Sequence, residues 1–150
     1  MIALLDVNVL LAMLWPRHIF FRDASQWFAA NRINGWATCP LTEAGFVRLY
    51  TQPAVTGIEI SIAEALDVLA TNCAEPDHVF WPQDSSLANF LPEIRGRLAG
   101  HQPLSDAIML DLAIRKGGRL ATLERRVQNL LSTGSQHRGA IEIIPVVEGV

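Results

Sequence analysis

An α/β fold with a mainly parallel sheet is predicted by three features of the sequence. Short apolar runs alternate with segments of helical period, and Gly, Pro and Asn mark the joins. A length of 150 residues predicts a single domain, 1–150, within the ~100–200 residues typical of one. Half the residues are apolar and 18% are charged, which supplies a core and leaves too little charge for a disordered chain.

The elements follow in order. IALL (2–5) is wholly apolar up to Asp6, the first charged residue, and reads as a strand buried on both faces. VLLAML is a short helix with Asn8 as its candidate cap, stopped at Pro16. Between His18 and Ile33, Phe20, Phe21, Ala24, Trp27, Phe28 and Ala30 recur near helical spacing, predicting an amphipathic helix that ends near Asn34-Gly35. WATC (36–39) is a second strand, and Pro40 opens a helix over LTEAGFVRLY that ends before Pro53.

SIAEALDVLATNC (61–73) is a helix with Ser61 and Glu64 in capping-box positions, and HVFWP (78–82) is a third strand. Residues 83–102 hold a short helical piece and then PEIRGRLAG, which with its glycines and Gly100-His101 is the most loop-like part of the chain. PLSDAIMLDLAIRKGG is the strongest helix, closed by Gly117-Gly118. RLAT (119–122) is a strand, LERRVQNLLS (123–132) a helix and IEIIPVV (141–147) a final strand.

Composition narrows the function classes. IALL and VLLAMLW fall short of the ~20 residues a membrane span needs, and no signal-peptide pattern is present. No membrane association and a cytoplasmic location are therefore expected. Cys39 and Cys73 lie far apart without metal-ligand spacing, so buried thiols are expected and neither a disulfide framework nor a zinc site is indicated. A net charge of −3 argues against a strongly electrostatic nucleic-acid binder without excluding nucleic acid. Apart from Lys116 the basic residues are all arginines, whose planar fork suits phosphate.

Four carboxylates stand at element ends. Asp6 ends the first strand, Glu124 lies just beyond the fourth, and Glu43 and Asp106 lie near helix starts. Helical spacing puts Glu43 on the face of Phe46, Val47 and Tyr50, and Asp106 on that of Met109, Leu110 and Ala113. A first-turn acid is favoured by the helix dipole, which is an ordinary structural account of each taken singly. Asp111, by contrast, has Arg115 four residues on and reads as a surface ion pair. Several core-facing carboxylates without local cations would attract a metal, and oxygen donors select Mg²⁺, with Mn²⁺ a substitute.

LLDVNVLLAML, TEAGFVRL, LSDAIMLDLA and RLATLERRV, in this order and over nearly the whole chain, resemble the PIN-domain ribonucleases, especially the VapC-type toxins of bacterial toxin–antitoxin pairs. The resemblance implies a three-layer α/β/α sandwich, Mg²⁺-dependent endoribonuclease activity, a homodimer and inhibition by a cognate antitoxin. It carries the catalytic and metal-ligand positions onto Asp6, Glu43 and Asp106. The fourth position departs, because the family commonly has Leu-Ala-Thr-Phe-Asp where this chain has Leu120-Ala121-Thr122-Leu123-Glu124. Glu keeps the charge and adds a methylene. Asn8 and Thr122 match polar positions that support the carboxylates.

The mechanism expected is metal-assisted hydrolysis of RNA phosphodiesters, with Asp6 and Asp106 holding Mg²⁺ and Glu43 as ligand or water-orienting base. Arg48, Arg95, Arg97, Arg125 and Arg126 are candidates for contacts to RNA or antitoxin. Two alternatives stay open: a receiver-type domain phosphorylated on Asp6 beside Mg²⁺, and a non-catalytic partner-binding module in which the acids are caps and ion-pair members.

Overall fold

In the computed structural model, which describes residues 1–100 and 103–147, five short strands form one sheet. They are β1 (Ala3–Leu5), β2 (Trp36–Thr38), β3 (His78–Phe80), β4 (Arg119–Thr122) and β5 (Ile141–Ile143). Their spatial order is β3-β2-β1-β4-β5, and every pair is parallel. The mainly parallel sheet expected is thus parallel throughout. The helices are α1 (Val7–Leu14), α2 (Phe21–Asn31), α3 (Pro40–Tyr50), α4 (Pro53–Thr56), α5 (Ile62–Cys73), α6 (Pro92–Arg97) and α7 (Leu104–Arg115).

The three layers follow from the strand period of two. Ala3 and Leu5 of β1, Trp36 of β2 and Ala121 of β4 face a core built with Val9 and Leu10 of α1, Trp27 of α2, Phe46 of α3 and Leu69 of α5. Leu4, Ala37 and Leu120 point the other way, onto Ile94 of α6 and Leu110 and Ala113 of α7. Right-handed crossovers produce this division. From β1 outward to β2 and β3 the connecting helices lie on one face, and the return through α6 and α7 to β4 lies on the other. The order therefore reverses between β1 and β4, where parallel α/β sheets open a crevice beyond their carboxyl ends.

Local structure differs from the sequence expectation at several points. Asp6, not Asn8, is the N-cap of α1: its Oδ1 accepts from the Val7 N–H at 2.6 Å, and Asn8 lies within the helix. Residues 125–130 form a 3₁₀ helix (Arg125–Leu130) and not a full α-helix, with the Glu124 side chain accepting from the Arg126 N–H at its start. The short helical piece expected after residue 83 is a 3₁₀ turn (Leu87–Asn89), and PEIRGR, read as loop-like, is helical and inserts Ile94 fully into the core. The loop predicted at His101 lies outside the described residues.

Asp111 is not at the surface. It is 5% exposed, and it accepts from the Leu91 N–H at 2.9 Å as well as from Arg115 Nε at 2.7 Å. Among the described residues no helix is long and apolar enough to cross a membrane.

Close approach of helices sets the position of α3. A Cβ built on Gly45 would lie 2.5 Å from Val7 Cγ2, so only glycine lets α3 sit this near α1. That contact fixes the first turn of α3, which carries Glu43.

Candidate functional site

Asp6 leaves β1 at the crevice and is 4% exposed. Val7 N–H holds one carboxylate oxygen, and the Thr122 hydroxyl donates to the other at 2.6 Å. Thr122, the last residue of β4, also accepts from the Glu124 N–H at 3.0 Å and from Asn8 Nδ2 at 3.4 Å. Asn8 in turn accepts from the Leu123 N–H at 3.3 Å. The ends of β1 and β4 are thereby laced together through side chains, with Asp6 oriented at the centre.

The charges around it are negative. Burial pushes the Asp6 carboxyl up to about 6, partly offset by the Thr122 hydroxyl, and the nearby Asp106 and Glu124 carboxylates push in the same direction as burial. Asp106, in the first turn of α7, is raised by partial burial and by Glu124, while Arg126 opposes. Among the described residues its carboxylate has no hydrogen-bond partner. Glu124 is pulled down instead, because Arg126 donates to it through Nε and its backbone N–H, both at 3.1 Å.

Asp6, Thr122, Asn8 and the Glu124 backbone are thus joined by hydrogen bonds at the β1/β4 crevice, with the Asp106 and Glu124 carboxylates near enough to act on Asp6 through their charge. The Glu43 carboxylate accepts from the Thr38 hydroxyl at 2.6 Å and lies with Cys73 and His78. His78 and Cys73 are residues that sequence spacing does not flag. Cys39 is buried as expected, whereas Cys73 is only half-buried and sits in this group. Its nearness to His78 depends on how α5 packs beside the β2–β3 pair, and a separation of five residues gives no sign of it.

A cleft of about 490 Å³ opens beside Asp106, lined in part by Arg97, Arg126, Asn129 and Gly100. It adds two guanidinium groups to the acidic crevice. Arg97 donates to the Asn129 carbonyl at 2.8 Å and Arg126 is tied to Glu124, so both are anchored at the rim. Carboxylates beside arginines can bind a hard cation together with an anionic ligand.

The PIN domain family model matches residues 3–130. Ribonuclease VapC39 of Mycobacterium tuberculosis is 39% identical over 134 residues, which cover 89% of this chain and 96% of that protein. Ribonuclease VapC38 of the same organism is 44% identical over 128 residues, covering 85% and 89%. In the crystal structure of VapBC2 from Rickettsia felis bound to a DNA fragment from their promoter, one chain superposes with a TM-score of 0.57. It is 16% identical, covering 87% of this chain and 96% of that one, and establishes likeness of fold alone. Matches of this extent to proteins of one kind, on the doubly wound sheet already described, mean that the chain belongs to the PIN-domain family, among the VapC ribonucleases.

Proposed function

We propose that the chain is a divalent-metal-dependent endoribonuclease that cuts RNA at the β1/β4 crevice as the toxin of a toxin–antitoxin pair. One observation carries this reading. A buried carboxyl, Asp6, is fixed by two hydrogen bonds and crowded by two further acids, and no ion pair to it exists among the described residues. Such a group is costly unless a cation joins it, and an all-oxygen donor set suits Mg²⁺ or Mn²⁺.

Asp6 and Asp106 are the proposed metal ligands, with Glu124 able to join by releasing Arg126. A bound divalent ion supplies charge against the phosphate oxygens and lowers the pKa of its water. Thr122 and Asn8 hold Asp6 in its rotamer, so ligand geometry is set before metal arrives. Glu43 is the proposed fourth acid, as ligand or as the group that orients the attacking water. To take that role it must rotate off Thr38. Arg97 and Arg126 are placed to hold RNA phosphates in the adjoining cleft.

The ribonuclease names of the relatives and the VapBC2 pairing of the structural neighbour support the activity and a cognate antitoxin partner. A homodimer and a cytoplasmic location complete the proposal. The receiver-type alternative gains nothing from the geometry. The chain's one lysine, Lys116, pairs with Asp84 at the far end of α7, so no lysine stands beside Asp6.

The test is cleavage of single-stranded RNA with Mg²⁺ by wild type and by Asp6→Asn, with unchanged circular dichroism as the control for folding. A loss of ~100-fold or more is expected from removing a metal-binding charge at the reacting centre. Cleavage at the wild-type rate by Asp6→Asn would overturn the proposal.

A further inference from the structure

We propose that Glu43, Cys73 and His78 form a second metal site, one that selects a borderline-soft transition ion such as Zn²⁺. One ligand atom from each residue lies within 4.8 Å of the others. They come from three elements, α3, the last residue of α5 and the first residue of β3, so tertiary packing and not local sequence brings them together. Zinc–ligand bonds of about 2.0–2.3 Å in tetrahedral geometry put ligand atoms roughly 3.3–3.8 Å apart, within side-chain rotation of the arrangement found. All three side chains are half-buried, which leaves the site dry enough to bind and open enough to load.

Thr38 shows that two of the three already share a focus. Its hydroxyl donates to Glu43 at 2.6 Å and lies 2.7 Å from His78 Nε2. The one hydroxyl proton goes to Glu43, so Nε2 is the donor in the second contact. A thiolate, an imidazole and a carboxylate are the donors of zinc chemistry and a poor match to Mg²⁺, so this site and the acids at the β1/β4 crevice differ in the ion they prefer.

Glu43 belongs to both. An ion held by Cys73 and His78 keeps Glu43 on the β2–β3 side and withholds it from the Mg²⁺ crevice. Zinc is therefore an inhibitor of Mg²⁺-supported cleavage, a consequence that rests on the proposed nuclease activity. Existence of the site does not.

Titration of the metal-free chain with Co²⁺ tests the site by absorption. Wild type is expected to develop a thiolate-to-cobalt charge-transfer band that saturates at one equivalent and is displaced by Zn²⁺. Cys73→Ser is expected to lose the band, and His78→Gln to weaken Co²⁺ binding at least tenfold, each with wild-type circular dichroism. Absence of the band in wild type, or its persistence in Cys73→Ser, overturns the site, since Cys39 is then the thiolate or none is.

In RNA cleavage with Mg²⁺, added Zn²⁺ should inhibit wild type and spare Cys73→Ser, whose cleavage without zinc stays at the wild-type rate. Equal inhibition of both overturns the shared role of Glu43. A chain that shows the cobalt band but never cuts RNA retains the site and loses the nuclease assignment.

Discussion

Asp6 is where sequence and electrostatics meet most directly. A carboxyl lifted from 3.8 to about 6 in the fold binds its proton more tightly there than in the unfolded chain. Its contribution to stability is thus fully present below the unfolded value and is lost as pH rises through about 6. At about 1.4 kcal/mol per pKa unit, the ionised group costs on the order of 3 kcal/mol in metal-free protein. Asp6→Asn removes that cost and must re-pair Thr122, so a net gain of about 1–2 kcal/mol above pH 7 is expected. Thermal melts in chelator should show the variant's advantage growing from pH 4 to about 6 and then levelling. A pH-independent difference would show that Asp6 ionises normally. The acid's interruption of two apolar runs makes it legible in the sequence, and Asp106 and Glu124 are legible as element ends. Their partners are legible through the family resemblance alone: spacing makes Asn8 a cap, yet its side chain reaches across to Thr122 at the end of β4 and to Leu123 just beyond it.

At the scale of elements, two contacts decide where the site's walls stand. Gly45 allows α3 to lie against Val7 of α1, and a methyl group there meets a β-branched side chain that cannot swing aside. Gly45→Ala should destabilise by about 1–3 kcal/mol despite alanine's better helix propensity, read as a drop in melting temperature. Asp111 ties α7 to the chain before α6 by accepting from the Leu91 N–H, while Arg115 spans to the Asn89 carbonyl. Asp111→Ala leaves the half-buried Leu91 amide unpaired and should cost about 1–3 kcal/mol, measured by denaturant unfolding. Arg115→Ala leaves the Asp111 carboxylate, only 5% exposed, without its cation and should cost at least as much. Here the i, i+4 spacing identifies the ion pair and misses its depth, because burial of Asp111 comes from the 83–91 segment folding over it. Likewise the apolar positions of 123–132 fit a helical period, but the Glu124–Arg126 contacts at its start open a 3₁₀ turn.

Across the whole molecule the alternation of strands and helices is what the sequence makes plain, since apolar runs buried on both faces and amphipathic helices admit few other arrangements. Strand order is carried by tertiary packing, and it is the reversal between β1 and β4 that turns scattered acids into one crevice. The orientation of Glu43 is set partly by Thr38, five residues before it, and partly at this larger scale, because His78 reaches Thr38 from the neighbouring strand β3. Metal binding at the crevice should then be visible as global stability, because an ion that binds only the folded chain stabilises it in proportion to RT ln(1 + [L]/Kd). Asp6 must lose its proton to bind, so Mg²⁺ competes with a group that titrates near 6. Below that pH added Mg²⁺ should leave the melting temperature unchanged. Above it the melting temperature should rise with Mg²⁺ concentration, about 2.7 kcal/mol being gained at a hundredfold excess over Kd. Asp6→Asn should abolish the rise, and His78→Gln, outside the crevice, should keep it. Loss of the Mg²⁺ effect in His78→Gln and its survival in Asp6→Asn would move the hard-cation site from the β1/β4 crevice to the β2–β3 side of the sheet.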